Sequence, residues 1–484
     1  MSAVFCFKRI KIILKNPLKT VENMIYLICI CRLDRKEKGA VRKVNKIISA
    51  VVVMIVCFSL AGCSISEDLG TGGLLKAPMM TQQQQKIHEA LTSVTGNEIV
   101  LKYPKNGDNR SSFVIENIDN DSEEEAIVFY QHTAADNDGG TVYVNILDQD
   151  ASGNWHSVVD FKGLGAEIDR IFISRLEKGK PPNIIIGYQA ISSALNTLQV
   201  YSYDGENLST IYNDNYTFLT VMDLDKDGVF NIFKASIDSE TEKTTGFVIQ
   251  QDAGEFKTLG KVNMSDYTSS VNRCVQGKTE DGKEALFIDT LKTDGTLMTD
   301  IITQSYGAFQ NAAIVFKEKI SDKTKRPSGY NSLDVDGDGV CEIPVTKPMT
   351  GYLDTDSAGI MLTTWMSFNL DYTLKTKYSG YYSINDGYFF NMTSDMIKGA
   401  TIKTDEKTGE AVFYKLNKTA EKSSTELFRI NVVNNSEYEN YRELGYMLIC
   451  EQGQLKYVVK RSGVDDPLCL KLDDIKKNFY IVNQ

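Results

Sequence analysis

The sequence predicts a mainly β fold with a small α+β domain at its C-terminal end. Between residues 97 and 375, short runs of alternating apolar and polar residues, such as SSFVIENI and TVYVNIL, are separated by turns of Gly, Asp and Asn. Such alternation is typical of strands with one buried face. Only 9 prolines occur in the chain, and no long helical period interrupts the runs. An acidic segment followed by an apolar run recurs along this region, which indicates a repeated β unit.

The N-terminal part has the pattern of an export signal. Residues 41–62 combine the basic start VRKVNKIISA with an apolar run and small residues at the end. The apolar run from Ile47 to Ala61 has 15 residues, fewer than the roughly 20 that a membrane-spanning helix needs, so we expect cleavage. The closing LAGC resembles the lipobox of bacterial lipoproteins, which implies a lipid on Cys63. We interpret residues 1–40 as upstream sequence outside the protein, with a genuine extension as the alternative.

A tether and one helix follow the lipobox. Residues 63–80 contain no aromatic side chain and include Thr-Gly-Gly, which is typical of a flexible linker. Residues 81–96 are predicted to be helical, because Thr81 and Gln84 have the spacing of a capping box. The apolar residues that share one face of this helix are Ile87, Ala90, Leu91 and Val94.

The acidic segments divide residues 97–375 into five units. The residue just before each apolar run marks the repeat, and these residues are Glu125, Asn183, Asn231, Glu284 and Glu342. They are separated by 58, 48, 53 and 58 residues, which leaves room for about four short strands per unit. Radial closure hides sheet edges that a row of open sheets would expose. A β-solenoid needs a shorter repeat and a sandwich domain about 100 residues, so the sequence predicts a β-propeller of about five four-stranded blades.

Three acidic segments have the spacing of a calcium loop. In the third, carboxylates lie at positions 1, 3, 5 and 9 counted from Asp334, and Gly339 at position 6 permits a sharp turn. Alternate acids on a tight loop bring their oxygens together, and Ca²⁺ takes about 6–8 oxygen ligands. An EF-hand would place an acid at position 12, where these loops carry Val345, Lys234 and Val128.

An acid at position 9 followed directly by strand residues resembles the calcium loops of FG-GAP or VCBS-type repeats, the blades of integrin α-chain propellers. The resemblance spans residues 97–375 and implies one to three structural Ca²⁺ ions. The implied ligands of the third loop are Asp334, Asp336, Asp338, the carbonyl of Val340, and Glu342. Those of the second are Asp223, Asp225, Asp227 and Asn231, and those of the first are Asn117, Asp119, Asp121 and Glu125. In the second loop Asn231 replaces the closing acid, and in the first loop Ser122 replaces the glycine. For every loop, the alternative is a polar turn without a metal ion.

The C-terminal residues 376–484 are predicted to form the α+β domain, because strand-like runs such as GEAVFYKLN alternate with the polar helical segment NSEYENYRE. Apart from Cys63 at the lipid site, four cysteines follow the leader: Cys274, Cys341, Cys450 and Cys469. Cys450 and Cys469 could form a disulfide, with buried free thiols as the alternative. With only 3 histidines and no Cys-x-x-Cys in the exported part, a zinc site is not expected.

Charge and motifs narrow the function. Residues 1–62 hold 12 Lys and Arg against 3 Asp and Glu, so the remainder carries a formal net charge of −20. That excess excludes nucleic-acid binding, which requires clustered basic residues, and no nucleophile, phosphate-loop or metalloprotease motif is present. We expect a lipid-anchored protein on the extracellular face of a bacterial cytoplasmic membrane that binds a glycan, peptide or envelope protein. The alternatives are a calcium-dependent enzyme acting on polysaccharide and an accessory subunit of an envelope complex.

Overall fold

The computed structural model describes residues 80–133, 140–150, 152–189, 195–314, 319–352 and 359–482. The chain divides into two units, Met1–Met80 and Thr81–Gln484, and all the described helices and strands belong to the second. The predicted leader, Cys63 and nearly all of the tether lie outside the described residues. No described helix is long and apolar enough to cross a membrane.

Helix α1 (Gln82–Thr95) begins where the sequence predicts. The Thr81 side chain accepts a hydrogen bond from the Gln84 backbone, and the Gln84 side chain accepts one from the Thr81 backbone, so two otherwise unpaired backbone donors are satisfied. Ile87 and Leu91 are fully buried. They anchor α1 on the first sheet, together with Phe113, Ala126, Val128, Tyr130 and Leu147.

Five antiparallel sheets follow one another along the chain. Sheet 1 contains β1 (Ile99–Lys102), β2 (Phe113–Glu116), β3 (Glu125–His132), β4 (Tyr143–Gln149) and β5 (Trp155–Lys162). Sheet 2 contains β6 (Glu167–Ser174), β7 (Asn183–Gln189), β8 (Asn196–Tyr203) and β9 (Leu208–Tyr216). Sheet 3 contains β10 (Phe218–Met222), β11 (Asn231–Asp238), β12 (Lys243–Asp252) and β13 (Glu255–Asn263).

Sheets 4 and 5 each contain a fifth strand. Sheet 4 contains β14 (Thr268–Lys278), β15 (Glu284–Lys292), β16 (Thr296–Ser305), β17 (Ala308–Asn311) and, after helix α2 (Ile320–Lys323), β18 (Arg326–Pro327). Sheet 5 contains β19 (Glu342–Pro348), β20 (Met361–Asn369), β21 (Thr373–Ser383) and β22 (Tyr388–Asn391), and its last strand is β28 (Phe479–Ile481) at the C-terminal end.

Sheet 6 and three short helices form the C-terminal module. The elements are α3 (Ser394–Gly399), β23 (Ala400–Thr404), β24 (Ala411–Lys415), β25 (Glu426–Asn434), α4 (Tyr438–Glu443), β26 (Met447–Gln452), β27 (Leu455–Arg461) and α5 (Leu472–Lys477). The boundary that the sequence analysis draws between residues 375 and 376 falls inside β21, so sheet 5 extends past it to Asn391. Cys450 and Cys469 are not paired, and all four cysteines of the described part are free thiols.

The predicted repeat matches the strands. The five residues that mark the repeat, Glu125, Asn183, Asn231, Glu284 and Glu342, are the first residues of β3, β7, β11, β15 and β19. The second strand after each of β3, β7, β11 and β19 contains a β-bulge with one extra residue. These extra residues are Val158, Ile211, Leu259 and Lys377. A bulge bends the strand and increases its twist, so the units share a local distortion as well as a strand count.

Hydrophobic clusters join the sheets in sequence. Separate clusters connect sheets 1 and 2, 2 and 3, 3 and 4, 4 and 5, and 5 and 6. Within the described part of the chain, no cluster joins sheet 1 to sheet 5 or sheet 6. Strand β3 explains why: Ile127 and Phe129 pack towards sheet 2, whereas Ala126, Val128 and Tyr130 pack against α1. The fold is mainly β with successive antiparallel sheets, and the predicted ring closure is not observed among these residues.

Candidate metal loops and a cationic cavity

The three acidic loops share a backbone turn that the sequence analysis only partly identified. At position 4 of each loop, Asn120, Lys226 and Gly337 have positive φ angles of 70°, 59° and 79°. At position 6, Gly228 and Gly339 have φ angles of 81° and 86°, as expected for glycine at a sharp turn. The loops therefore turn at position 4 first, where a glycine is present only in the third loop.

The structure brings carboxylates together in each loop. The groups are Asp119, Asp121 and Glu125 in the first loop, Asp223, Asp225 and Asp227 in the second, and Asp334, Asp336 and Glu342 in the third. In each group one oxygen per residue lies within 4.8 Å of the others. Carboxylate oxygens grouped in this way could hold a hard cation. The predicted ligand Asp338 is not part of the third group.

Glu125 closes the first loop and is fully buried. Its Oε2 accepts a hydrogen bond of 2.7 Å from the Ile118 backbone, while its Oε1 is shielded from solvent and has no hydrogen-bond partner among the described residues. Burial raises the pKa of Glu125 to about 7; the Ile118 hydrogen bond opposes the rise, and Asp119, Asp148 and Asp121 add to it. An unpaired buried carboxylate oxygen beside further acids is costly without a cation.

Asp148 is a fourth acid at the first loop that sequence reasoning missed. It lies on β4, and its charge contributes to the raised pKa of both Glu125 and Asp119. The side chain of Asn117, a predicted ligand, instead closes the loop: its Nδ2 donates to the Asp121 carbonyl at 2.6 Å and its Oδ1 accepts from the Asn120 backbone at 2.7 Å. The only signal for Asp148 in the sequence is its place at the end of a strand.

The second loop has a similar unpaired oxygen. Asp223 is 7% exposed; its Oδ2 accepts a bond of 3.1 Å from Gly228, and its Oδ1 is buried without a partner in the described part of the chain. Burial raises the pKa of Asp225, and Asp227 and Asp223 add to the effect. The Gln276 side chain on β14 bonds to both the backbone N–H and the carbonyl of Asp223, at 3.0 and 2.6 Å, so this loop is tied to sheet 4. Asn231 begins β11 directly after the loop.

The third loop already contains a cation. Lys377 Nζ lies 3.1 Å from Asp336 Oδ1, 2.6 Å from Asp338 Oδ2 and 2.9 Å from Glu342 Oε1. Burial raises the pKa of Glu342 to about 7, against the hydrogen bonds from Val335 and Lys377. In the loop with the best calcium pattern, an ammonium group therefore already pairs with three of the four acidic side chains. The sequence offered no signal for it, because Lys377 reaches the loop only through the bulge in β21.

The closing acid has the same role in the first and third loops. The backbone N–H of Val335 donates to Glu342 Oε2 at 2.9 Å, as Ile118 donates to Glu125. Val340, whose carbonyl was predicted to be a ligand, donates its N–H to Asp338 at 2.8 Å and forms a bridge with Lys278 of β14. The third loop is thus attached to sheet 4, so both it and the second loop lie at junctions between sheets.

A cavity of about 700 Å³ lies where the first strands of sheets 2, 3 and 4 meet the loop between β1 and β2. Strands β1 and β2 lie end to end along one edge of β3, because β1 pairs with residues 129–132 and β2 with residues 125–128. The loop of residues 103–112 therefore interrupts an inner strand. The cavity lining includes Arg110, Arg170, Arg273, Asp108, Phe172 and Phe218.

A buried carboxylate holds one side of the cavity. Asp169 is 2% exposed, and its oxygens accept hydrogen bonds from Asn106 Nδ2 at 2.7 Å, Arg170 Nε at 2.8 Å and the Tyr216 hydroxyl at 2.7 Å. Arg170 also donates from Nη1 to the Leu219 carbonyl at 2.7 Å. Its guanidinium lies 5.1 Å from the ring centre of Phe218, in the range of a cation–π contact. These contacts hold the Arg170 side chain in place at one side of the cavity.

Comparison with known proteins gives no family. No family model and no curated protein matches this chain. Among solved structures, the chain is similar to an exotype rhamnogalacturonan lyase, YesX, at 14% identity and a TM-score of 0.29, covering 64% of this chain and 61% of that one. A rhamnogalacturonan lyase of Bacillus licheniformis matches at 12% identity and 0.27, covering 64% and 59%. A protein from Lactobacillus plantarum matches at 10% and 0.31, covering 68% and 94%. The chain spans about three fifths of the length of these lyases.

Proposed function

We propose that this protein is a lipid-anchored binding module on the extracellular face of a bacterial cytoplasmic membrane. Cys63 would carry the lipid, and the cavity of about 700 Å³ would receive a glycan, a peptide or a segment of an envelope protein. The cavity is the observation that carries the proposal, since concave sites of about 300–1,000 Å³ are usual for ligands. The acidic body repels an anionic membrane surface, which leaves the acyl chains as the anchor.

We infer that the five sheets are blades of a propeller related to FG-GAP or VCBS repeats. Three features support this: the five-unit repeat, the cores shared between successive sheets, and the first strands that converge on one cavity. Helix α1 takes the place of a contact between the first blade and the last. In a propeller these inner strands line the axis, where partners can reach several blades at once.

We further propose that Ca²⁺ is a structural ion of the first two loops. Glu125 and Asp223 each present a buried, unpaired carboxylate oxygen, and oxygen ligands on a tight loop suit Ca²⁺. The second loop is bonded to sheet 4 through Gln276, so an ion there would strengthen a junction between blades. No helix pair flanks these loops, so the ion would act as a structural link rather than as a switch.

The enzyme hypothesis has less support. Glycoside chemistry uses a pair of carboxyl groups, whereas Asp108 is the single acid among the described cavity-lining residues, and no histidine is among them. His132 lies elsewhere, packed between the rings of Tyr130 and Tyr143. No observation favours catalysis over binding.

A glycan and peptide array tests the binding function. The soluble chain from Ser64 contains the whole unit Thr81–Gln484. We expect it to bind a discrete ligand, and we expect Thr220→Trp, which fills the cavity from β10, to abolish that binding. The matched control is Thr258→Trp on the exposed face of β13 in the same sheet, which should bind normally. Binding that survives Thr220→Trp with a folded protein, or turnover of an arrayed polysaccharide, would contradict the proposal.

A further inference from the structure

We propose that the cavity binds a saccharide that carries a carboxylate, held by the guanidinium groups of Arg110 and Arg273. The inference rests on the proposed binding function and names its ligand class. It starts from a local inversion of charge: the exported part is strongly acidic, yet three arginines and one aspartate line this cavity. A cleft lined by one sign of charge with low-dielectric walls attracts ligands of the opposite sign.

Two of the three arginines lack an acidic partner. Arg110 donates from Nε to the Gly107 carbonyl at 3.2 Å, and no carboxylate within the described ranges forms a salt bridge with it. Arg273, on β14, has an Nε that is shielded from solvent and has no hydrogen-bond partner among the described residues. Arg273 also forms no salt bridge with a carboxylate of the described residues, and a guanidinium at a cavity without an acidic partner can pair with an anion from solution.

Arg170 differs from Arg110 and Arg273 because it has an acidic partner, and it lies beside the loop that carries Arg110. Its Nε and Nη1 are already bonded to Asp169 and the Leu219 carbonyl, and its stem packs near Gly107. The same Asp169 fixes Asn106, so the loop that carries Arg110 is attached to β6. Two further bonds, from the Lys105 and Asn106 backbones to the carbonyls of Ile168 and Asp169 at 3.0 and 2.7 Å, hold the loop there. Arg110 therefore lines the cavity from a loop that is attached to sheet 2, and Arg273 lines it from β14 of sheet 4.

The rest of the lining fits a saccharide better than a bare anion. The planar guanidinium donates two parallel bonds to a carboxylate, while Phe172 offers an aromatic surface on β6. Asp108 and Asn272 are exposed at the cavity, and their oxygens can accept bonds from sugar hydroxyls. A simple phosphate would use the arginines alone and leave these groups without a role.

Calorimetry on the chain from Ser64 tests the inference. The probes are tetragalacturonic acid and a hyaluronan tetrasaccharide, each compared with its methyl ester, which keeps the sugar and removes the charge. We expect at least one acid to bind, and its ester to bind at least about tenfold more weakly. Loss of a charge-assisted bond in Arg110→Gln or Arg273→Gln should weaken binding about tenfold to a hundredfold. Arg442→Gln, at an exposed site on α4, is the control and should change nothing.

The outcomes separate this inference from the binding function. If neither acid binds, if the esters bind equally well, or if inorganic phosphate binds in place of the uronates, the carboxylate assignment is wrong. A neutral glycan or a peptide whose binding is lost in Thr220→Trp would leave the binding function standing and reject the uronate. A uronate that still binds Thr220→Trp would reject both. Unchanged melting temperatures of the Gln variants confirm that folding is not the cause of lost binding.

Discussion

Single residues distinguish three loops that look alike in sequence. In the third loop, Lys377 forms three carboxylate contacts. In the other two loops, Glu125 and Asp223 each keep a buried oxygen without a partner among the described residues. The spacing of acids ranks the third loop first as a calcium site, and the contacts reverse that order. An ammonium group and a divalent ion compete for the same oxygens, so the position of one lysine decides which loop keeps carboxylate oxygens free for a metal.

Replacing Lys377 tests this at the residue scale. In Lys377→Met, the carboxylates of Asp336, Asp338 and Glu342 lose their cation, so the metal-free protein should be less stable by about 3 kcal/mol. Millimolar Ca²⁺ should restore most of the loss, because the freed oxygens can hold the ion. Urea unfolding with and without Ca²⁺ measures both effects.

The control for this variant is Lys375→Met on the same strand, whose partner is the surface residue Glu280. An exposed pair of this kind contributes about 0–1 kcal/mol, so Lys375→Met should show little change and no new response to Ca²⁺. If Ca²⁺ raises the free energy of unfolding of Lys377→Met by no more than it raises that of the wild-type protein, removal of the lysine does not create a metal site in the third loop.

Glu125 predicts a dependence of stability on pH. Burial raises its pKa from the usual 4.5 to about 7 in the folded protein, so the folded state keeps a proton that the unfolded chain releases. In the metal-free protein, the free energy of unfolding should therefore fall as pH rises from about 4.5 to 7. Bound Ca²⁺ favours the carboxylate and should reduce this fall.

Urea unfolding between these pH values, in EDTA and in Ca²⁺, measures the effect. Glu125→Gln should remove the part of the pH dependence that comes from this loop, because its amide does not titrate. Glu123→Gln, an exposed position in the same loop, is the control and should keep the wild-type profile. A Glu125→Gln profile identical to the wild type would show that Glu125 does not hold the proton.

At the scale of elements, the sequence was informative where the signal is local. Thr81 and Gln84 predicted a cap, and Glu342 marked the start of β19, because capping and strand alternation depend on neighbours in the chain. The contact of Asp148 with the first loop, the contact of Lys377 with the third loop and the pairing of β22 with β28 all join residues far apart in the chain. They depend on strand register, which the spacing of residues in the sequence does not encode. Ring closure is not observed among the described residues, and no signal in the sequence indicated this, since nothing in the helical pattern says which sheet α1 will cover.

Helix α1 has a defined energetic role. Because it covers one face of sheet 1, loss of its cap should lower the stability of the whole unit. Thr81→Ala removes the side-chain bond to Gln84 and should cost about 1 kcal/mol in urea unfolding. Ser93→Ala, at an exposed position inside α1, should change stability by less than about 0.5 kcal/mol. Equal effects of the two substitutions would show that the cap is not what stabilises α1.

At the scale of the whole molecule, calcium should act through junctions between sheets. We expect millimolar Ca²⁺ to raise the melting temperature, because an ion bound only by the folded state stabilises it by mass action. The combined variant Glu125→Gln and Asp223→Asn should lose most of this increase. Asp336→Ala should lose less, because Lys377 already occupies the third loop. Differential scanning calorimetry measures the effect. If Ca²⁺ raises the melting temperature of the combined variant as much as that of the wild-type protein, the ions bind at other residues.

The pairing of β28 with β22 orders events during biosynthesis. Sheet 6 is inserted between two strands of sheet 5, and a polypeptide leaves the ribosome N-terminus first. The outer edge of β22 therefore lacks its partner until residues 479–481 have been synthesised. An unpaired strand edge invites association with other chains, so a product truncated before Phe479 would leave this edge of sheet 5 open to aggregation.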